Sequence, residues 1–526
     1  MGESQREPAG RLDRRQCLAG AAAWGMAAVA RAAPPAATQL RTRERLLARV
    51  DPVLLVAGDD GRPFHFSPDG GRVAWRERRG TLMTVVIDGE AGPLHSMVEP
   101  PVWSPDGRRV AYTALNRAFY HAVIDGKRGK AFSLVSPVVF SPDGKRYAYA
   151  ARSGEVFRAV IDGKEGSPYE YVSLPAFSAD SRHVAYRAGR AGGAVIVIDD
   201  RESRRWDTAS NVVFSPAGYR YAYRASEGDV HRAIIDGEPG PEFTAVSPIH
   251  FSPDGTHVAY AGQRTDGWRM IVDGEESELG PWGAIYDETI QFSGDSQHLA
   301  YVAGRGEEQY VVLDGEPLGP YLEIVHLTCT HDGRIGFCGR RAGEWYVAII
   351  DHEEGPFRQI GVEGIRFSPQ GTRYGYVVMA EDRKYRVVID GEMSPPYDQV
   401  DLPKSLFSPD GKRWAYAAVT GNDHWLVVDG ERRGPYRSIA DGTLRFVPDG
   451  QGVAFIRRTD DGWAMEVDGV AGPTYDGALR GTPVQFVAGR LRYFALRYER
   501  RRETLFARIY RVEHELAPAG DRPRRS

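Results

Sequence analysis

Cysteine is scarce in this chain: three in 526 residues, at positions 17, 329 and 338. That scarcity excludes a disulfide-stapled fold, and the spacings contain no Cys-x-x-Cys metal knuckle or redox pair. Long apolar runs are missing too. The stretch from Leu18 to Ala30 is short and alanine-rich, below the roughly 20 strongly apolar residues a stable membrane span needs. Net charge is nearly balanced, −4 overall and −6 without the first 32 residues. No basic field exists to grip nucleic acid, and there is no acidic tail. Helical periodicity is almost absent. The catalytic and metal signatures are absent as well: no His-Glu-x-x-His, no Asp-x-Asp-x-Asp-Gly, no Gly-rich phosphate loop and no Gly-x-Ser-x-Gly elbow. No cofactor, no metal and no catalytic residue is therefore expected. A Ser-His-Asp triad is the one arrangement a sequence does not display, because its members meet only in space.

What is abundant is glycine and proline, 60 and 34 residues, which favours many short strands joined by tight turns. At the amino end stand Arg14 and Arg15, then Leu18, the alanine-rich stretch, and Ala30-Arg31-Ala32. Charged, weakly apolar, then small-x-small is the layout of a signal peptide, and the arginine pair resembles the twin-arginine type. Asp13 before the pair and Cys17 within it depart from the usual motif. This reading places the protein in the periplasm or outside the cell. The expected organisation is a signal peptide at 1–32, a linker at 33–49, repeats at 50–275 and 276–515, and a disordered tail at 516–526.

The repeat dominates everything after residue 50. Phe-Ser-Pro-Asp-Gly opens at Phe66, Phe140, Phe251 and Phe407, with a close variant at Trp103 and weaker copies at Phe177, Phe214, Phe292, Cys329, Phe367, Phe446 and Phe486. The first five steps are 37 residues, the sixth is 41, and the later ones are 37 to 40. A second phrase, Val-Ile-Asp-Gly or a near copy, recurs out of phase, with aspartates from Asp88 to Asp468. Ser-Pro-Asp-Gly suits a type I turn and Asp-Gly a two-residue hairpin. Each unit thus parses into four antiparallel strands, illustrated by 137–141, 146–151, 156–161 and 169–173. Four strands in ~40 residues cannot bury two apolar faces alone, so the units must stack, and radial stacking of four-stranded sheets is a β-propeller. The fold class is all-β: twelve repeats, expected as two six-bladed rings in tandem, with 52–57 as an orphan strand that completes the last blade. Cys329 and Cys338 fall on neighbouring strands of one hairpin, and both a bridge and a pair of buried thiols fit that placement.

The phrase Phe-Ser-Pro-Asp-Gly-x-x-(Val/Tyr)-Ala-(Tyr/Trp) resembles the PD-type, WD-repeat-like β-propeller family, whose TolB-type propeller repeats carry it. The resemblance covers roughly residues 50–515 and implies a fold rather than a function, because the motif builds turns and cores. Within the motif, Ala217 and Gln370 stand in place of Asp, and those turns are expected to be less well formed.

Recognition is expected on the loops between second and third strands, which are the least repetitive segments and gather on one face. Candidate anion-facing residues there are Arg76, Arg78, Arg79, Arg187, Arg190, Arg340 and Arg341; candidate aromatic-rim residues are Trp268, Trp345, Trp425 and Trp463. The functional expectation is an exported, non-catalytic scaffold that binds a protein, a peptide or a cell-envelope polymer through that loop face. The alternative is a propeller enzyme, a lyase or hydrolase, with a site in a central channel.

Overall fold

In the computed structural model the described residues are 40–57, 63–349, 352–478, 484–501 and 504–515. The expected signal peptide and tail lie outside them. Twelve antiparallel sheets of four strands follow one another, numbered here blades 1 to 12 by their motif residues, Phe66 to Phe486. The first strand of each blade is innermost and is broken by a kink. In blade 3 its halves, Leu134–Val135 and Val139–Phe140, both pair with Tyr147–Ser153. The third strand is Val156–Ile161, and the outermost begins at Lys164–Glu165 and ends in a bridge between Phe157 and Tyr169. The rim strand is therefore 164–169, earlier than the expected 169–173. Val172 already bridges to Ala188 of blade 4.

The repeated polar phrases build one corner. In blade 3 the Arg146 N–H donates to Ser141 Oγ (3.0 Å), and that hydroxyl donates to Asp143 Oδ1 (2.7 Å), which also accepts from the Lys145 N–H. The Ser141 hydroxyl and the Lys145 N–H hold the Asp143 carboxyl down at about 2. Glycine is required next: Gly144 has φ 72°, and a Cβ there would sit 2.7 Å from Asp106 of the preceding blade. At Ala217 the expectation holds: Ser215 Oγ turns to Ala217 O instead. Gln370 departs from it, since Gly371 N still closes the turn on Ser368 O at 2.8 Å. In the second hairpin both residues of the Asp-Gly pair are left-handed, as at Asp125 (φ 50°) and Gly126 (φ 77°).

An arginine six residues after the motif aromatic ties that corner to the next blade. Arg109 Nε donates to Asp125 Oδ2 (2.9 Å), its Nη1 donates to Lys145 O of blade 3 (2.7 Å), and its guanidinium lies 5.3 Å over the Phe140 ring. Arg72 repeats the arrangement with Asp88, Arg108 O and Trp103, and Arg146, Arg220 and Arg373 follow it. In blades 4, 6 and 7 a histidine takes the place. His183, His257 and His298 each set Nδ1 against Asp199, Asp273 and Asp314.

Between the sheets, an aromatic on most rim strands meets a buried aromatic on the next blade's second strand, edge to face. Examples are Phe132 with Tyr149, Tyr169 with Tyr186, Phe243 with Tyr260 and Tyr397 with Tyr416. Such pairs contribute ~0.5–1.5 kcal/mol each beyond their area. The apolar clusters show how the ring closes. Each spans two consecutive blades, and the junction of blades 6 and 7 is ordinary: Ala261, Met270 and Trp282 pack with Ile285, Leu299 and Tyr301. The last cluster joins Phe494 and Ile509 of blade 12 to Val73 and Trp75 of blade 1. Twelve blades therefore form one closed circuit, not the expected two rings divided at residue 275. Every sheet face must be covered, and a break at that point would strip the faces that blades 6 and 7 now share.

Closure also corrects the linker. Residues 41–49 of the segment expected as linker, together with Val50, form the rim strand of blade 12, Arg41–Val50, antiparallel to Thr504–Glu515. The expected closing strand at 52–57 splits instead into a short 3-10 turn at Pro52–Leu54 and the strand Leu55–Val56, which joins blade 1. Leu47, Ala48 and Val50 are buried in the closing cluster, so the charged appearance of Arg-Thr-Arg-Glu-Arg hides an apolar seam. The two cysteines are free. Cys338 pairs across the strands with Val325 and Cys329 with Ile335. Burial pushes the Cys338 thiol up to about 12.

Replacing Leu47 with alanine is expected to lower unfolding free energy by about 2–4 kcal/mol, read as a lower urea midpoint. The change of the exposed Val53 to alanine stays within about 0.5 kcal/mol. His298 is raised above its ordinary value, chiefly by its bond to Asp314. The stability it contributes is complete below the unfolded histidine pKa and is lost as pH rises through the higher folded one. Thermal melts from pH 5.5 to 8.5 should show that loss in the native chain and a flatter profile in His298→Arg.

Candidate functional site

The face carrying the Ser-Pro-Asp-Gly and Asp-Gly turns spends its polar groups internally. The Asp-Gly aspartates accept from backbone N–H and from the clamp arginines. Among the described residues no three His, Cys, Asp or Glu side chains assemble as a metal site.

The opposite face carries the connections between second and third strands. These are mostly two-residue turns, with Arg79 opposite Leu82, Arg190 opposite Gly193 and Arg341 opposite Glu344. The exception is blade 9, where Met379 faces Tyr385. The loops expected to recognise a ligand are thus too short to form a wall. The candidate arginines are spread over blades 1, 4 and 8. Arg76 and Arg187 work between blades: Arg76 Nη1 donates to Val98 O of blade 2 (3.4 Å), and Arg187 Nη1 donates to Ala209 O of blade 5 (2.9 Å) while lying over Tyr171. Arg224, absent from the sequence-based set, repeats the bond to Val246 O at 3.1 Å. Arg79 pairs with Glu77, Arg190 with Glu202, Arg340 with Glu323 and Arg341 with Glu353. Arg78 is exposed. The candidate tryptophans are half-buried and separated. Trp268, Trp345 and Trp463 pack against three different inter-blade cores, and Trp425 lies beside the Arg432 guanidinium, with its indole N–H buried away from any acceptor.

A feature that sequence reasoning missed lies on this same face in blades 9 to 11. From Tyr169 to Phe177 is eight residues; from Phe357 to Phe367, Tyr397 to Phe407 and Tyr436 to Phe446 is ten. The extra residues widen the kink of the inner strand into a small turn, closed by Gly364 N on Gly361 O in blade 9 and by Thr443 N on Ala440 O in blade 11. Between these turns opens a cleft of about 480 Å³. Val377, Val400, Val419 and Ile439 contribute apolar wall, and Gln359, Gln399, Tyr385 and His424 contribute polar groups. Three carboxylates line it, one per blade: Glu363, Asp401 and Asp441. Asp401 Oδ2 accepts from the Gly442 N–H at 3.4 Å. Burial pushes the Asp401 carboxyl above its usual range; the Gly442 N–H opposes this, and the charges of Asp441 and Glu363 add to it. Arg445 also opposes the rise, yet among the described residues none of the three carboxylates has an ion-pair partner within 4 Å. The signal for this cleft lies in the later steps of 38 to 40 residues, whereas the division expected at residue 275 rests on the 41-residue step from Phe251 to Phe292.

No family model matches the chain, and no curated protein matches it. Solved structures similar to it include a eukaryotic initiation factor (11% identity, covering 76% of this chain and 97% of that one, TM-score 0.31). Others are the β-propeller domain of the Trilobed protease from Pyrococcus furiosus (16%, 56% and 96%, 0.22) and a putative TolB from Agrobacterium tumefaciens (14%, 44% and 84%, 0.18). At these values the likeness is one of propeller architecture alone.

If Arg187 acts between blades, Arg187→Ala should lower stability by about 1.5–3 kcal/mol, the range for a hydrogen bond from a charged group. Arg78→Ala should be nearly neutral. Paired denaturant titrations distinguish the two.

Proposed function

We propose that the chain is an exported, non-catalytic scaffold that binds a protein or a peptide through the face carrying the second-to-third-strand turns, with the cleft of blades 9 to 11 as its contact point. The observation that carries the reading is the break in repetition. Most blades spend their polar groups on their own turns and neighbours, whereas blades 9 to 11 place unpaired carboxylates around a concavity. A rigid ring with one irregular sector suits recognition better than turnover, because it presents groups without assembling a nucleophile, base and anion-stabilising donors in one place. Of the candidate residues, Arg76 and Arg187 contribute by bonding to the next blade, and Trp268, Trp345 and Trp463 by packing in inter-blade cores. No helix of the described residues is long and apolar enough to cross a membrane. The proposed location, periplasmic or secreted, rests on Arg14 and Arg15 and the stretch after them.

Two measurements test this. Changing Arg14 and Arg15 together to lysine should retain the protein in the cytoplasm on fractionation; unchanged export would remove the twin-arginine reading. A photo-crosslinking residue at Val362, which is 81% exposed beside the cleft, should yield a discrete adduct in cells. The same residue at Leu318 on the rim should not. Equal labelling at both positions would sink the assignment of this face.

A further inference from the structure

We infer that the cleft of blades 9 to 11 takes a positively charged side chain on an apolar stem, a lysine or arginine carried by an extended segment of a partner protein. The inference rests on the scaffold reading above and names its ligand class. The cavity comes first: about 480 Å³ is in the range of pockets that enclose a small organic group, and here it has room for one long side chain. Its walls are of two kinds. Val377, Val400, Val419 and Ile439 offer apolar surface to a methylene stem, while Glu363, Asp401 and Asp441 offer negative charge from three different blades. Among the described residues no ion pair neutralises that charge.

The carboxylates surround the cleft without converging as a metal-holding group, which disfavours a bare divalent ion and favours a cation whose charge sits on a stem and whose donors spread over several acceptors. Gln359 and Gln399 add acceptors of the same kind. A macromolecular source is favoured over a free amine by Val362, an exposed apolar side chain at the lip that a small amine inside the cleft would leave uncovered. Filling the site also offsets a cost. The charges of Glu363 and Asp441 act against that of Asp401, and a cation among the three carboxylates relieves that repulsion.

The test is fluorescence anisotropy on the full-length protein with three probes: a ten-residue alternating Lys/Leu peptide, its Glu/Leu counterpart, and spermidine as a competitor. The Lys/Leu peptide should bind and the Glu/Leu peptide should not. Affinity should fall by tenfold or more in the E363Q/D401N/D441N protein and in the single Glu363→Lys variant. Glu344→Gln, an exposed acid on the same face, should leave it unchanged. Binding should weaken as pH falls and Asp401 takes up its proton. Equal binding of both peptides, or of the Lys/Leu peptide to the native and Glu363→Lys proteins, overturns the inference, as does spermidine displacing the peptide at equimolar concentration. Discrete adducts from Val362 in cells, together with no Lys/Leu binding, would overturn this ligand class while leaving the scaffold reading in place.

Discussion

One clamp arginine, present in blades 1, 2, 3, 5, 9 and 10, connects much of what holds this ring together. Arg109 touches its own hairpin through Asp125, the next blade's turn through Lys145 O, and the next blade's motif aromatic through the face of Phe140. Its strength does not lie in any single contact, since a part-exposed ion pair contributes only ~0–1 kcal/mol. It lies in geometry: a planar guanidinium offers donors along two edges and a flat face to stack, so one side chain sets the spacing of two sheets and the direction in which the second is rotated from the first. Repeated around the circuit, that local angle becomes the closure of the whole. Where histidine replaces it, the reach to the neighbouring carbonyl is replaced by stacking, as in the His183–Tyr219 pair 3.6 Å apart.

The clamp works on one face only; the rim aromatics do the corresponding work between sheets. Tyr169 against Tyr186 and Phe132 against Tyr149 anchor the outer part of each sheet on the next, where the short, charged rim strands bury little by themselves. Blade 12 has no rim strand from its own repeat. The amino-terminal strand supplies it, and Leu47, Ala48 and Val50 complete the core that the missing strand would have left open. A ring built this way leaves mostly short strand edges, which limits the usual hazard of an antiparallel sheet.

Regularity is also what makes the irregular sector conspicuous. In blades 3 and 6 a serine at the inner-strand kink, Ser136 or Ser247, accepts from the second strand and closes the gap. In blades 9 to 11 two extra residues widen the kink into a small turn beside Glu363, Asp401 and Asp441, and in blade 11 Thr443 Oγ1 accepts from the second strand in the serine's place. The cleft is thus a consequence of chain length at one point of the repeat, achieved without disturbing the clamp or the rim aromatics on either side.

Sequence alone determined the unit and its number. Phe-Ser-Pro-Asp-Gly, Asp-Gly and their 37-residue spacing dictate two hairpins per repeat, because those residues have local conformational preferences that no distant contact overrides. The expectation of twelve four-stranded sheets followed directly. Only the tertiary structure decided the ring count, the closing strand and the position of the cleft. Each of these depends on which apolar face lies against which, as Trp282 does against Tyr301 or Leu47 against Trp75, and a periodic sequence presents nearly the same face at every repeat. The arginines and tryptophans singled out from the chain were equally beyond local reading, because a guanidinium that binds a neighbour's carbonyl and one that faces solvent are the same letters until the neighbour is in place.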